Sequence, residues 1–503
     1  MGEYTPFDPV SAALWHGAAV GVFYPGPGIA MTHHDVVVIG GGPGGYAAAL
    51  YGASAGLDVG LVEEHLLGGT CLHVGCIPAK ELLETASLLR AVKGASEFGV
   101  DTGGEPDVDL SVSQERKRSV IDKLFKGLGS LLSGRGVTVY GGTGRLGPDH
   151  IVTVEYGEGS DQEGTSTIQA DHVVLATGSS PRSIDGFAVD GQLVVTSDEL
   201  LSITEVPARV AVIGGGAIGC EFASMLSDLG SEVTVLEALP EILAECDADV
   251  GAVVRRSFRR RGINVHTGVS VDGHEPAGGS TTINFGSAPD QHQVEVDLVV
   301  MAVGRRPRGD AAGLVGTRVE INERGFISVD GRLLTGEPGV YAVGDVISTP
   351  QLAHVAFAEG MFVVKDLLGE APLPLDPATV PWCIYSHPEV ACAGLTEAAA
   401  VEAGHEVVVS SHRFVGNGRA MIVGDTDGMV KVVAEAGPDG RAGRILGVHM
   451  VGPWVTEQLG QGYLAVNWEA TVDDVAAHIQ PHPTLSELFG ETVLSLTGRS
   501  LHG

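Results

Sequence analysis

The sequence predicts an α/β fold built on two similar βαβ units and closed by a smaller α+β portion at the C-terminus. Three observations predict it. A strand, glycine loop, helix, strand pattern occurs twice, as DVVVIGGGPGGYAAALYGASAGLDVGLVEE and as RVAVIGGGAIGCEFASMLSDLGSEVTVLEA. The opening runs VVVI and VAVI are β-branched and apolar without alternation, as strands buried on both faces of a parallel sheet are. From about residue 379 the pattern changes to alternating strands such as EVVVSSHRFV and MVKVVAEA, followed by helices.

Length and composition bound the answer. The chain has 503 residues, enough for several domains, and 44% are hydrophobic, enough for a large core. Glycine is common, at 73 residues. The formal net charge of −33 excludes a non-specific binder of DNA or RNA, which needs Lys and Arg against phosphates, and disfavours an anionic membrane surface. Residues 1–30 start MGEYTPFD, without the basic residues of a secretory signal, and carry Pro25 and Pro27 where a membrane helix would not. They read as a leader, disordered or placed before the true start, with the folded chain beginning near Met31. A cytoplasmic, soluble protein with no membrane partner is expected.

Each βαβ unit carries G-x-G-x-x-G, at Gly40, Gly42 and Gly45, then at Gly214, Gly216 and Gly219. The first glycine permits a tight turn, the second lets a pyrophosphate approach the backbone, and the third lets helix and strand pack closely. The anion then rests on the N–H groups at the helix start. An acid ends the next strand in each copy, Glu63 and Glu237, where a carboxylate can accept hydrogen bonds from ribose hydroxyls. Both units are therefore Rossmann-like dinucleotide sites. At the second, Glu237 would repel a 2′-phosphate, and no arginine follows it in ALPEILAE, so NAD rather than NADP is expected. Two such sites together with a redox cysteine pair suggest a flavin and a nicotinamide in series, with FAD at the first. The segment GVYAVGDV, ending in Gly344-Asp345, supplies a carboxylate suited to polyol hydroxyls.

Four of the six cysteines, Cys220, Cys246, Cys383 and Cys392, are scattered and read as small buried hydrophobes. Cys71 and Cys76 form a close pair in LLGGTCLHVGCIPAKELLETASLL, at the start of an expected helix. C-x4-C is not common zinc spacing and no second Cys/His pair lies nearby, so no metal is expected. In a cytosolic chain such a pair reads as redox-active, and a helix N-terminus lowers the thiol pKa.

GGTCLHVGCIPAK closely resembles the active-site stretch of the flavin-dependent pyridine nucleotide–disulfide oxidoreductases. The resemblance runs from about residue 33 to 497, through VVLATGSSPR, VMAVGRRPR, VYAVGDV, LAHVAFAEG, SHPEVACAGLTE and HPTLSE. Within the family it is most similar to the dihydrolipoyl dehydrogenases. His73, Ala79 and Gln480 depart from common asparagine, serine and histidine. The resemblance implies that Cys71 exchanges with a dihydrolipoyl substrate and that Cys76 faces the flavin, whose electrons pass to NAD+. It implies that His482, held by Glu487, is the acid–base, reaching the cysteines of a second subunit in a homodimer. It pairs Lys80 with Glu221 beside the flavin ring. It assigns Gly40, Gly42, Gly45, Glu63, Thr70, Lys80, Gly144, Thr177, Gly178, Ser179, Asp345 and Ala353 to FAD. It assigns Gly214, Gly216, Gly219, Glu221, Glu237, Val269 and Gly304 to NAD. His387 reads as structural. The expected partner is a lipoyl-bearing acyltransferase or a glycine cleavage carrier protein.

The implied organisation is a FAD-binding domain at 31–155 with a return at 156–189, an NAD-binding domain at 190–305, a FAD-contacting segment at 306–378 and an α+β dimerisation domain at 379–503. The competing readings are a mycothione- or glutathione-type reductase and a non-enzymatic nucleotide-binding subunit. Glu237 weighs against NADP, and the Cys71, Cys76, His482, Glu487 set weighs against a merely binding role.

Overall fold

The computed structural model describes residues 31–156, 164–287 and 290–502, so the leader expected at 1–30 lies outside the described residues. The chain divides into two compact units. The first comprises residues up to Glu81, then Ser111–Arg182 and Arg305–Leu375; the second comprises Leu82–Leu110, Ser183–Gly304 and Asp376–Gly503. Among the described residues no helix is long and apolar enough to cross a membrane.

The first unit is organised by a seven-stranded sheet. Its parallel part runs Thr138–Gly141, Val59–Glu63, Thr32–Ile39, Gly164–Leu175 in spatial order, and Ile151–Tyr156 and Thr143–Leu146 continue it antiparallel. Val340–Ala342 pairs in parallel with the C-terminal half of Gly164–Leu175. Val37 and Val38 are fully buried, as expected of a β-branched run covered on both faces. The helix Pro43–Ser54 is rich in Gly and Ala because another helix, Ala353–Leu367, lies very close. A Cβ on Gly360 would stand 2.5 Å from the Gly44 carbonyl oxygen.

The second unit holds two sheets that matter here. One is parallel, ordered Asn264–Thr267, Glu232–Glu237, Arg209–Ile213, Leu298–Met301, Val194–Thr196. The other is antiparallel, ordered Trp382–Ile384, Glu389–Gly394, Ala442–Gly452, Met429–Ala436, Val407–Arg413. One face of the antiparallel sheet (Ala391, Ala393, Val430, Val432, Val448, Met450) packs with Leu459, Leu488, Phe489 and Val493 from the C-terminal helices into one core. Side-chain alternation sends the intervening residues Cys392, Lys431 and His449 to the opposite face.

Candidate active site

Both glycine loops are built alike. The strand Thr32–Ile39 ends at Gly40, whose φ of +106° belongs to glycine, and a Cβ there would sit 2.2 Å from the Ala176 carbonyl oxygen. A Cβ on Gly45 would sit 1.8 Å from the Gly40 carbonyl oxygen, so helix and strand touch through that position. Gly42 differs: an added Cβ would meet nothing within 4 Å, so the space before the helix is open there. Gly42 is also the N-cap of Pro43–Ser54 and offers no side chain to the first N–H groups. The second loop repeats this, with Gly214 at φ +107°, Gly219 pressed on Gly214 and Gly216 open at the head of Ala217–Leu229. Each loop thus fits a dinucleotide pyrophosphate.

Each following acid serves its loop. Glu63 accepts from the Gly41 N–H at 2.6 Å and the His65 N–H at 2.7 Å. Glu237 accepts from the Gly215 N–H at 2.5 Å and the Leu239 N–H at 2.6 Å. An ionised carboxylate has about four acceptor sites, so two stay available for ribose hydroxyls. Burial pushes the Glu63 carboxyl up to about 7, against the opposing pull of the two N–H bonds.

After the first acid come two helices, Gly69–His73 carrying Cys71 and Cys76–Lys93 opened by Cys76. Cys71 shares a side-chain hydrogen bond with Cys76. That bond and then burial push the Cys71 thiol well up, while the Lys80 charge pulls it down. The helix start belongs to Cys76, which opens Cys76–Lys93, whereas Cys71 lies on the short helix before it and holds the proton that the two thiols share. Tyr46, directly after Gly45, is pushed up to about 12 by burial and then by the two cysteines, and its ring packs 5.5 Å from Phe357. Sequence reasoning passed over Tyr46; its place one residue past the loop's last glycine was the available signal.

In the second unit His482 Nδ1 lies 3.0 Å and 3.2 Å from the two Glu487 carboxylate oxygens. Glu487 is fixed in turn by the Thr484 N–H at 2.9 Å, and the Thr484 carbonyl accepts from Asn417. The His482 side chain is 74% exposed and that of Glu487 15%, so a covered carboxylate holds an accessible imidazole. Beside it opens a cavity of about 470 Å³ whose lining includes Arg419, Trp454, Gln461, Pro483 and Thr484. Among the described residues no cluster of His, Cys, Asp and Glu is arranged to hold a metal ion.

The sequence profile of the pyridine nucleotide-disulphide oxidoreductases matches residues 34–360, and that of their dimerisation domain matches residues 380–493. The chain belongs to the pyridine nucleotide-disulphide oxidoreductase family. It is 41% identical over 480 residues to a dihydrolipoyl dehydrogenase of Bacillus subtilis, covering 94% of this chain and 99% of the relative. It is 38% identical to one of Haloferax volcanii, covering 94% and 98%. Among solved structures it is similar to LpdA from Mycobacterium tuberculosis, with a TM-score of 0.84, 26% identity and coverage of 93% and 100%. It is also similar to the HOCl-induced flavoprotein disulfide reductase RclA from Escherichia coli, with a TM-score of 0.79, 26% identity and coverage of 92% and 99%.

In this oxidoreductase one of the remaining expected FAD positions, Ser179, meets another, Asp345. Ser179 Oγ donates to the Asp345 carboxylate at 2.5 Å, and Arg305 donates to Ser179 Oγ at 2.7 Å. Thr177 Oγ donates to the Arg308 carbonyl, and Gly178 adopts φ +71°. Glu359 is fully buried in the helix Ala353–Leu367 and accepts from the Gly344 N–H at 2.6 Å, holding the turn that presents Asp345. Burial pushes Glu359 up to about 7. It was missed, although a lone acid in the apolar stretch AHVAFAEGMFVV was a visible signal. Ala353 stands at that helix's start and Thr70 just before Cys71. Gly144 lies in a strand where a Cβ would press at 3.0 Å on Ile39 and Val62.

On the second loop's side, the Val269 N–H donates to the Glu237 carbonyl at 3.0 Å, and Gly304 adopts φ +97° with open space at its Cβ position. Glu221 is buried on the helix Ala217–Leu229 and accepts from the Tyr385 N–H at 2.9 Å. His387 is pushed down to about 3 by burial and by Arg90 and Arg261, so it is neutral at ordinary pH, and its carbonyl accepts from Arg261 at 2.6 Å.

Proposed function

We propose that this oxidoreductase oxidises a protein-bound dihydrolipoyl group to the cyclic disulfide and reduces NAD+, through Cys71 and Cys76. The observation that carries the reading is the hydrogen-bonded thiol pair of Cys71 and Cys76, on a chain with two open phosphate-accepting loops. Electrons leaving such a pair have two dinucleotide sites to go to. The dihydrolipoyl dehydrogenases among its relatives support the choice of dithiol.

In the oxidised pair, a substrate thiolate attacks the Cys71 sulfur, and Cys76 departs as the thiolate. The second substrate thiol then displaces Cys71, closing the lipoyl disulfide and leaving two reduced cysteines. His482 takes up the substrate proton, and the Glu487 carboxylate 3.0 Å from Nδ1 fixes the tautomer that leaves Nε2 as the acceptor. Lys80, one turn after Cys76, lowers the Cys71 thiol and supplies positive charge beside the pair. FAD, when bound, supplies the two-electron relay from the reduced pair to the nicotinamide. The dimerisation-domain match and the 74% exposed His482 within it support a base delivered to the partner subunit's Cys71 in a C2 dimer.

The test is NADH formation from dihydrolipoamide by the FAD-loaded protein, compared with NADP+. Turnover with NAD+ and a far lower kcat/KM with NADP+ are expected. Absence of dihydrolipoamide turnover, with retained reduction of another disulfide by NADPH, would replace the lipoyl reading by a glutathione- or mycothione-type one.

A further inference from the structure

The four cysteines scattered through the sequence are not scattered in space. Cys392 lies on Glu389–Gly394, directly across from His449, which lies directly across from Lys431. This row faces away from the sheet's apolar core. Over it lies the segment leading into the helix Ala248–Arg260. Asp247, that helix's N-cap, meets Lys431 Nζ at 2.9 Å, and its carboxylate also accepts from the Glu397 N–H at 3.2 Å. Asp249 and Glu397 complete the cluster, each 2.7 Å from Lys431 Nζ. The cluster pins residue 247 to the sheet, and its chain neighbour Cys246 comes within side-chain hydrogen-bond reach of Cys392.

We propose that Cys246 and Cys392 form a second dithiol, separate from Cys71 and Cys76, that low-molecular-weight disulfides oxidise to an intramolecular disulfide. The other two cysteines do not compete. Cys383 pairs across from Ala391, the neighbour of Cys392, so it projects from the opposite face of the sheet. Cys220 is fully buried and gives its S–H to the Gly215 carbonyl at 3.3 Å.

The exposures of the two thiols set the order of events. Cys246 is half-buried and can be reached; Cys392 is 7% exposed. The bond to Cys246, then burial, pushes the Cys392 thiol up, so it stays protonated until its partner has reacted. Cys246 attacks a small disulfide RSSR, forming Cys246–S–S–R and releasing RSH. The Cys392 sulfur then displaces the second RS group and forms the Cys246–Cys392 bond. Two electrons pass to RSSR, and the two thiol protons leave on the two RSH molecules.

The bond would tie down the second dinucleotide loop. Cys246 follows Leu243, whose N–H holds the Gly215 carbonyl at 2.8 Å. A link to Cys392 fastens that segment to the C-terminal sheet.

The test treats the FAD-loaded full chain with glutathione disulfide, alkylates the remaining thiols and maps non-reduced peptides by mass spectrometry. The expected result is a peptide pair joined through Cys246 and Cys392, with both residues lost from the alkylatable pool. Cys392→Ser should stop the reaction at a stable glutathione adduct on Cys246, and Cys246→Ser should leave Cys392 unmodified. Mapping of the wild-type chain stands even if a variant fails to fold. Full alkylation of Cys246 after treatment, or a wild-type adduct on Cys246 that never passes to Cys392, overturns the proposal. None of these readouts uses lipoyl turnover, so the outcome is independent of the proposed function.

Discussion

Glu63 should make flavin affinity depend on pH. Burial lifts its carboxyl to about 7 from an ordinary 4.5, although the Gly41 and His65 N–H groups bond to it. Ribose hydroxyls donating to the two remaining acceptor sites favour the ionised form. The sign follows directly. Below pH 7 the protein without flavin takes up a proton on Glu63 that the complex must lose, so affinity falls as pH falls. If the bound state returns the carboxyl to its ordinary value, Kd rises towards tenfold per pH unit below 7 and stands about 160-fold above its high-pH value at pH 4.5. The assay is FAD titration of the apoprotein between pH 5 and 8, followed by flavin fluorescence, with Glu63→Gln alongside. Glu63→Gln should bind more weakly at pH 8 and lose the slope. A Kd that is flat in the wild type, or equally steep in the variant, would refute the assignment of the proton to Glu63.

Other expectations follow from the same geometry. Cys71→Ser should abolish dihydrolipoamide turnover while FAD stays bound, as absorbance and stopped-flow rates would show. His482→Ala should slow turnover about 10²–10⁴-fold, the usual worth of a general acid–base. Co-expressing Cys71→Ser and His482→Ala chains should regain activity that neither homodimer has if each site draws on two subunits; no regain would place both residues in one chain. Gly45→Ala puts a carbon 1.8 Å from the Gly40 carbonyl oxygen and should prevent FAD retention, read as the flavin-to-protein absorbance ratio. Lys431→Met leaves the buried Asp247 without its cation. It should cost about 3 kcal/mol in denaturant melts, at the low end for a buried pair because Asp249 and Glu397 are half in water. Burial opposes ionisation of Asp247, but Lys431 and the Glu397 N–H hold its pKa below the ordinary carboxylate range, so this contribution is complete above about pH 4 and fades below it.

What the sequence made legible was whatever depends on near neighbours. The glycine loops, the acids at Glu63 and Glu237, the Cys71–Cys76 pair and the His482–Glu487 contact each sit within one short segment, where spacing alone fixes geometry. What it hid depends on contacts between distant segments. Tyr46 meets the cysteines from the other side of a strand, Glu359 reaches back to Gly344, and Arg305 braces Ser179 and Asp345 from far along the chain. Cys246 and Cys392 were read as unrelated because only the Lys431 cluster brings them together.

The order in which the first unit's strands are made has a consequence for synthesis. Gly164–Leu175 pairs on one side with Thr32–Ile39, but the neighbour that covers the other side of its C-terminal half, Val340–Ala342, comes some 165 residues later. At about 5–20 residues per second, a ribosome needs roughly 10–30 s to supply it. Throughout that interval the nascent chain presents the apolar edge Val173-Val174-Leu175, open to any other strand that passes. Truncation anywhere between residues 176 and 339 would leave that edge uncovered for good, and such fragments should aggregate rather than yield a soluble flavin-binding piece.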